Sequence, residues 1–252
     1  MDFTIDSYKR MIDTLQQKRY TFSLYIDDEV FEKQRNVIMR HDVDFSIDRA
    51  LQMAQIEKSM GIKSTFFFLL FTEFYNVASK ESQDKVNEII SMGHDVGLHF
   101  DEVSYSYKNF SQEKIEKDIK IEVTQLSNLL RHDICAVSMH RPSGNCLESN
   151  LNLAGLINAY DKRFLGDIYK YLSDSRMSWR ENVDLIIEEE SYDRINILTH
   201  PIWYNDEKQE IGDCLKRFIK MGNYDRYNAL NTNLRDLKDI FTLKELCEEG
   251  VL

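Results

Sequence analysis

The chain has 252 residues, 42% of them hydrophobic, which is enough to bury a full core; we expect one domain spanning residues 1–252. Its formal net charge of -11 comes from 32 Lys and Arg against 43 Asp and Glu. The sequence has no basic stripe of the kind that indicates a nucleic-acid binder. The first residues do not form a signal peptide and no apolar stretch is long enough to cross a bilayer, which predicts a cytoplasmic protein without membrane insertion.

Helix-like and strand-like patterns alternate along the first part of the chain. Apolar spacing predicts a helix over residues 3–20, and the apolar run 36–40 predicts a strand. A second helix is expected after Ser46, a suitable N-cap, and it ends at Gly61 before an aromatic strand over residues 62–70. This alternation is typical of a mainly parallel sheet, either open or closed into a barrel.

The same alternation continues further along the chain. A helix is predicted over residues 83–92, a strand over 93–99, and a longer helix after Ser111. Beyond Ile134 the strands follow one another more closely, and two closing helices are predicted after Glu207.

Ionisable residues follow five of the apolar runs. These residues are Asp42 and Asp44, His99, His140 and Arg141, Asp174, and His200. Because parallel strands bring their carboxyl ends to one rim of a barrel, five such endings predict a single metal or acid/base centre.

Asp42 and Asp44 are two residues apart, so in a strand both carboxylates face the same side. Two carboxylates this near to each other raise each other's pKa, because ionising both is unfavourable. A divalent cation between them would remove this electrostatic cost. The alternative is that both carboxylates stabilise the N-terminus of the helix after Ser46. We favour the metal site because other titratable groups are expected at the same rim.

Histidines and an arginine provide the remaining candidates at the rim. His99 ends its strand and is a candidate ligand, whereas His94 begins the same strand and is expected to be structural. Arg141 could pair with Asp42 and keep it ionised. His200 is a candidate general acid, although a single strand-end histidine is often structural.

Two tryptophans, Trp179 and Trp203, are expected near the same rim. Their rings would suit stacking against a sugar, although buried aromatic residues of the core are the more common case.

With these motifs, the segment from Val37 to Pro201 resembles the polysaccharide deacetylase family, the NodB-type carbohydrate esterases. The matching motifs are Asp42-Val-Asp44, Gly93-His-Asp-Val-Gly-Leu-His99, Arg141-Pro142, Leu198-Thr-His200 and, loosely, Asp174 with Trp179. The resemblance implies an α/β fold, a deformed (β/α) barrel of mainly parallel strands with fewer than eight complete units.

The resemblance also implies roles for individual residues. Asp42 would be the catalytic base, Arg141 the residue that orients it, and His200 the general acid. Asp44 and His99 would be metal ligands.

One position departs from the family pattern. The family's second histidine ligand follows the first by four residues, and Val103 occupies that position here. We expect His140 to be the third ligand and keep Glu102 as the alternative.

The resemblance implies a metal-dependent hydrolase that removes an N-acyl group, with N-acetyl favoured, from a small-molecule or conjugated sugar such as a nucleotide-linked or lipid-linked one. The expected ion is Zn²⁺, with Co²⁺, Ni²⁺, Mn²⁺ or Fe²⁺ as alternatives. Two other hypotheses stay open. One is hydrolysis of a non-sugar C–N bond in a cyclic ureide or imide, and the other is a catalytically silent barrel that binds carbohydrate.

Overall fold

Parallel strand pairing organises the computed structural model, which describes residues 1–105, 110–149, 151–248 and 250. The strands are β1 (Thr21–Ser23), β2 (Asn36–Val43), β3 (Thr65–Phe68), β4 (Asp95–Asp101), β5 (Ala136–His140), β6 (Ile157–Asn158), β7 (Lys170–Ser173) and β8 (Arg194–Thr199). Their order is β6-β5-β4-β3-β2-β8-β7, and β1 pairs with the start of β2. The predicted deformed (β/α) barrel is confirmed, and among the described residues it is open between β6 and β7.

Helices connect most of these strands. They are α1 (Ile5–Gln17), α2 (Ile47–Ser59), α3 (Lys80–Ser91), α4 (Gln112–Leu130), α5 (Gly144–Glu148) and α6 (Val183–Glu188). The side chains of Ser46 and Ser111 accept hydrogen bonds from the first turns of α2 and α4, as the sequence predicted. None of the described helices combines the length and the apolar character needed to cross a membrane.

The described residues divide into two units, Met1–Asp206 and Glu207–Leu252. The first contains the whole sheet. The second contains α7 (Ile211–Asn233), α8 (Leu237–Ile240) and α9 (Leu243–Glu248), where the sequence predicted two closing helices. The single domain over residues 1–252 remains a prediction.

The two faces of β2 carry different chemistry because side chains alternate along a strand. Arg40 and Asp42 lie on one face, where the guanidinium contacts the carboxylate. His41 lies on the other, where Nε2 is 2.9 Å from Oε1 of Glu57 on α2 and Nδ1 is 2.7 Å from Oγ1 of Thr199 on β8. One face of β2 therefore faces the helices, and the other carries groups toward the candidate site.

His94 belongs to the helix-facing side, as expected for a structural histidine. It is buried, its Nδ1 lies 3.0 Å from Oγ of Ser64, and its Nε2 lies 3.0 Å from the carbonyl oxygen of Ala54.

A buried carboxyl group on α4 leads to a testable pH dependence. Glu122 is 2% exposed, accepts a hydrogen bond of 2.6 Å from the hydroxyl of Tyr105, and has its pKa raised by burial to about 7. A carboxyl group with a raised pKa favours the folded state at low pH, and this contribution is lost as the pH rises through about 7. We therefore expect Glu122→Gln to be more stable than the parent at pH 9, with a smaller difference at pH 5.

Thermal unfolding at both pH values would measure this difference. The rise of this pKa from its ordinary value of 4.5 to about 7 corresponds to about 3 kcal/mol. A chain of this size gains about 2–4 °C per kcal/mol, so we expect a gain of up to about 10 °C at pH 9. Glu113→Gln, an exposed change on the same helix, is the matched control and should show no such gain. An equal gain at both pH values would contradict the assignment to ionisation.

Candidate metal centre and active site

The carboxyl ends of the strands bring the predicted side chains together at one rim. Asp42 lies at the end of β2 with Asp44 directly after the strand, and β3 separates β2 from β4, which carries His99. On β5, Ser138 pairs with His99, and His140 ends the strand. The rim predicted from the strand endings is therefore present.

Asp44, His99 and His140 form the compact group of possible metal ligands. Oδ1 of Asp44 lies 3.2 Å from Nε2 of His99 and 3.3 Å from Nδ1 of His140. One ligand atom from each of the three residues lies within 4.8 Å of the others. Two nitrogens and one oxygen are a ligand set that suits a catalytic zinc site with an open position.

The burial and ionisation of the Asp44 carboxylate also suit the binding of a cation. Its Oδ1 is buried and faces the two ring nitrogens without a well-aligned hydrogen bond to either. Burial raises the pKa of Asp44, but the adjacent rings of His140 and His99 outweigh this effect and hold the pKa well below its usual range. An ionised, buried oxygen beside two imidazole nitrogens is the arrangement that a divalent ion would complete.

Ser138 fixes the orientation of His99. Its Oγ lies 2.6 Å from Nδ1 of the ring, which leaves Nε2 facing the carboxylates of Asp42 and Asp44. Groups that hold the second nitrogen of a ligating histidine set both its tautomer and its direction. Ser138 was not among the residues predicted from the sequence, where the available signal was one polar residue inside an otherwise apolar strand.

Asp42 is held by Arg40 in a buried ion pair. Nε and Nη2 of Arg40 each donate a hydrogen bond of 2.8 Å to the carboxylate, and both side chains are almost completely buried. The guanidinium also lies over the rings of Phe67 and Tyr160, at 5.4 Å and 4.8 Å from their centroids. Burial raises the pKa of Asp42, but the charge of Arg40 outweighs it, so the pKa lies below its usual value.

The expected pairing of Arg141 with Asp42 is wrong. Arg141 instead donates hydrogen bonds to both carboxylate oxygens of Asp101 at the end of β4. Its φ of 51° places it in the left-handed region directly after β5, so the alternation of side chains along the strand does not extend to it.

This difference predicts unequal stability losses for two arginine variants. Arg40→Ala leaves the charge of Asp42 buried and unpaired, which costs about 3–5 kcal/mol. Arg141→Ala, the matched control, removes a side chain that is 56% exposed, and the buried carboxylate of Asp101 keeps its hydrogen bond from the hydroxyl of Ser104. We therefore expect a loss of about 0–1 kcal/mol. Urea unfolding of both variants measures the two losses, and equal losses would contradict the assignment.

His200 and Asp174 form a second acid/base pair at the rim. Asp174 is fully buried; it accepts the backbone N–H of His200 at 3.0 Å, and its Oδ1 lies 2.5 Å from Nδ1 of the ring. Burial lowers the pKa of His200, but Asp174 outweighs this and raises it to about 9. Nε2 of His200 lies 3.8 Å from Oδ2 of Asp44, so this ring nitrogen is directed toward the candidate metal ligands.

Glu102, the alternative third ligand, lies near the rim but is engaged elsewhere. Its carboxylate accepts hydrogen bonds of 2.8 Å from both the backbone N–H and the hydroxyl of Ser143. The geometry therefore favours His140 over Glu102 as the third candidate ligand.

The two tryptophans differ in exposure. Trp203 is 5% exposed, so the expectation that it offers a free surface to a sugar is wrong and the core alternative holds. Trp179 is partly buried and stacks on Phe3, with ring centroids 6.4 Å apart and an interplanar angle of 7°.

In comparisons with known proteins, the chain is similar to several solved structures. No family model and no curated protein matches the chain. A CE4 family pseudoenzyme from Bacillus anthracis is 15% identical over 74% of this chain, with a TM-score of 0.44. The chain spans only 61% of the length of that protein.

Two deacetylase structures are also similar. The Streptococcus pyogenes deacetylase PplD, in complex with acetate, is 15% identical over 78% of this chain and 81% of its own, with a TM-score of 0.45. The catalytic domain of a peptidoglycan N-acetylglucosamine deacetylase from Eubacterium rectale is 13% identical over 77% of this chain and 86% of its own, with a TM-score of 0.45.

Proposed function

We propose that the protein is a divergent polysaccharide deacetylase that uses a divalent metal to hydrolyse an N-acyl group, N-acetyl above all, from a sugar or sugar conjugate. One observation carries this proposal: the Asp44, His99 and His140 cluster lies between two separate acid/base pairs. Asp42 with Arg40 supplies a carboxylate on one side, and His200 with Asp174 supplies a protonated imidazole.

Asp44, His99 and His140 would hold the metal, with Zn²⁺ as the ion that suits this ligand set best. A bound divalent ion would lower the pKa of a water molecule and polarise the acyl carbonyl group. Zinc, the sugar substrate and the cytoplasmic location remain predictions from the sequence.

The protein side chains would manage the protons of the reaction. As the oxygen of the water adds to the acyl carbon, Asp42 takes the proton that the water loses. When the C–N bond breaks, His200 gives its proton to the departing nitrogen, so that the products are a carboxylic acid and an amine. Asp174 keeps the imidazole oriented and charged for this transfer, and Arg40 keeps Asp42 ionised and directed at the centre.

The same chemistry on a cyclic ureide or imide is a second candidate. The burial of Trp203 and the packing of Trp179 on Phe3 favour it, because a sugar-binding site usually offers an open aromatic face. A catalytically silent barrel is less well supported, because the acid, the base and three possible ligands are all present in one cluster.

Metal analysis of the purified protein, combined with an assay for released acetate, tests the proposal. We expect about one divalent ion per chain and acetate from N-acetylglucosamine derivatives. Hydantoin and phthalimide in the same assay test the second candidate through the ring-opened product. A metal-loaded protein that opens these rings and releases no acetate would replace the first proposal by the second.

A further inference from the structure

A polar pair of side chains interrupts the helix-facing side of β2 and β8. His41 and Thr199 form this pair, and both are 0% exposed. The other residues on this side of the two strands are apolar and buried, namely Val37, Met39, Val43, Ile195 and Ile197. Buried polar groups require hydrogen-bond partners, so the place of each of these two side chains depends on the group that it bonds.

The pair adjoins the two residues proposed for proton transfer. His41 and Thr199 are the last partners in the register between β2 and β8. Asp42 directly follows His41 in the chain, and His200 directly follows Thr199. A bond between the two side chains therefore joins the strand ends that carry the proposed base and the proposed acid.

Contacts on several sides hold the ring of His41. Its Nδ1 lies 2.7 Å from Oγ1 of Thr199, and its Nε2 lies 2.9 Å from Oε1 of Glu57. The ring stacks on Phe66, with centroids 4.3 Å apart and an interplanar angle of 24°. Because both nitrogens are engaged, any rotation of the ring would break both contacts.

Glu57 attaches His41 to α2, the helix that follows Asp44. Its carboxylate is fully buried and accepts hydrogen bonds of 2.5 Å from the hydroxyl of Tyr8 and 2.6 Å from the hydroxyl of Ser64. A buried pair of this kind can often be replaced by apolar residues without loss of stability. The pair is therefore better explained by the fixed placement that it gives to its neighbours.

We propose that His41 is a positioning residue, which through Thr199 and Glu57 sets the spacing of Asp42 and His200 for proton transfer. This inference rests on the proposed function, because Asp42 and His200 act as base and acid only in that reaction. Reaction rates depend steeply on such spacing, and a displacement of about 1 Å can lower a rate about 100-fold.

Two substitutions of Thr199 separate the hydrogen bond from the packing. Thr199→Val keeps the shape of the side chain and removes the hydroxyl, whereas Thr199→Ser keeps the hydroxyl and removes a methyl group. We expect Thr199→Val to lower kcat about 10- to 100-fold with KM near the parent value, because the acid and the base act in the transition state. Thr199→Ser should keep kcat within a few-fold of the parent. Metal analysis should give the parent content for both variants, because Oγ1 of Thr199 contacts His41 rather than a candidate ligand.

Tyr169→Phe is the matched control. The hydroxyl of Tyr169 is buried, accepts a hydrogen bond of 2.7 Å from Nδ2 of Asn36 and donates one of 2.5 Å to the carbonyl oxygen of Val30. Asn36 begins β2, at the opposite end of the strand from Asp42. We expect this change to lower the unfolding temperature about as much as Thr199→Val and to leave kcat within a few-fold of the parent.

The substrate in these assays is whichever the metal-loaded parent hydrolyses, an N-acetylglucosamine derivative or a cyclic imide, because both reactions would use the same acid and base. A kcat near the parent value in Thr199→Val, or an equal loss of kcat in Thr199→Ser or Tyr169→Phe, would overturn the inference and leave the proposed function in place. Loss of the metal from Thr199→Val would also overturn it. A parent that hydrolyses neither substrate rejects the proposed function, and with it the positioning role of His41.

Discussion

Replacing Asp44 or His99 by alanine is expected to remove the bound metal and, with it, turnover. A catalytic zinc site usually has three protein ligands, so the loss of one leaves too few donors to retain the ion. Loss of a group that only supports a ligand already weakens binding by about 10- to 100-fold, and loss of a ligand should exceed this. Metal content after dialysis and titration against a competing chelator would measure the change.

His140→Ala should weaken metal binding by about the same factor as His99→Ala, because their nitrogens lie at almost equal distances from Asp44. Glu102→Ala is the matched control with a smaller expected effect, because that carboxylate is engaged with Ser143. If Glu102→Ala loses the metal and His140→Ala retains it, the third ligand is misassigned.

Asp42→Asn is expected to keep the metal and to lose at least about 100-fold in turnover, the contribution of a well-placed general base. The amide retains the shape of the carboxylate but cannot take a proton from water. Steady-state kinetics together with metal analysis would separate the two effects. A variant that loses its metal would show instead that Asp42 is a ligand.

Asp101→Asn is the matched control for this variant. Asp101 also ends a strand and also pairs with an arginine, but that arginine is the half-exposed Arg141. We expect its turnover to stay within a few-fold of the parent. An equal loss in both variants would indicate a general effect of removing a carboxylate at the rim rather than the loss of a base.

The sequence predicted which side chains lie close together where simple strand geometry applies. Asp42, Asp44 and His99 could be placed at one rim because the carboxyl ends of parallel strands meet there. The actual partner of Asp42 was missed, although side chains alternate along β2 and Arg40, two residues earlier, therefore lies on the same face as Asp42. Arg141 was predicted as the partner of Asp42 instead, because nothing in the sequence signals the left-handed backbone that directs Arg141 to Asp101.

The tryptophans show a second limit of prediction. Their positions after predicted strand endings placed them near the rim, but whether an aromatic ring is buried depends on neighbours that are distant in sequence, such as Phe3 for Trp179.

The two chemically different faces of β2 also have a consequence for folding fidelity. A shift of this strand by one residue would exchange its faces. Arg40 and Asp42 would then turn toward the helix-facing side, and His41 would lose Glu57 and Thr199. Because each misplaced buried charge costs several kcal/mol, slipped pairings of β2 with β3 and β8 would be strongly disfavoured. The residues proposed for catalysis would thus also disfavour sheets in which β2 pairs out of register.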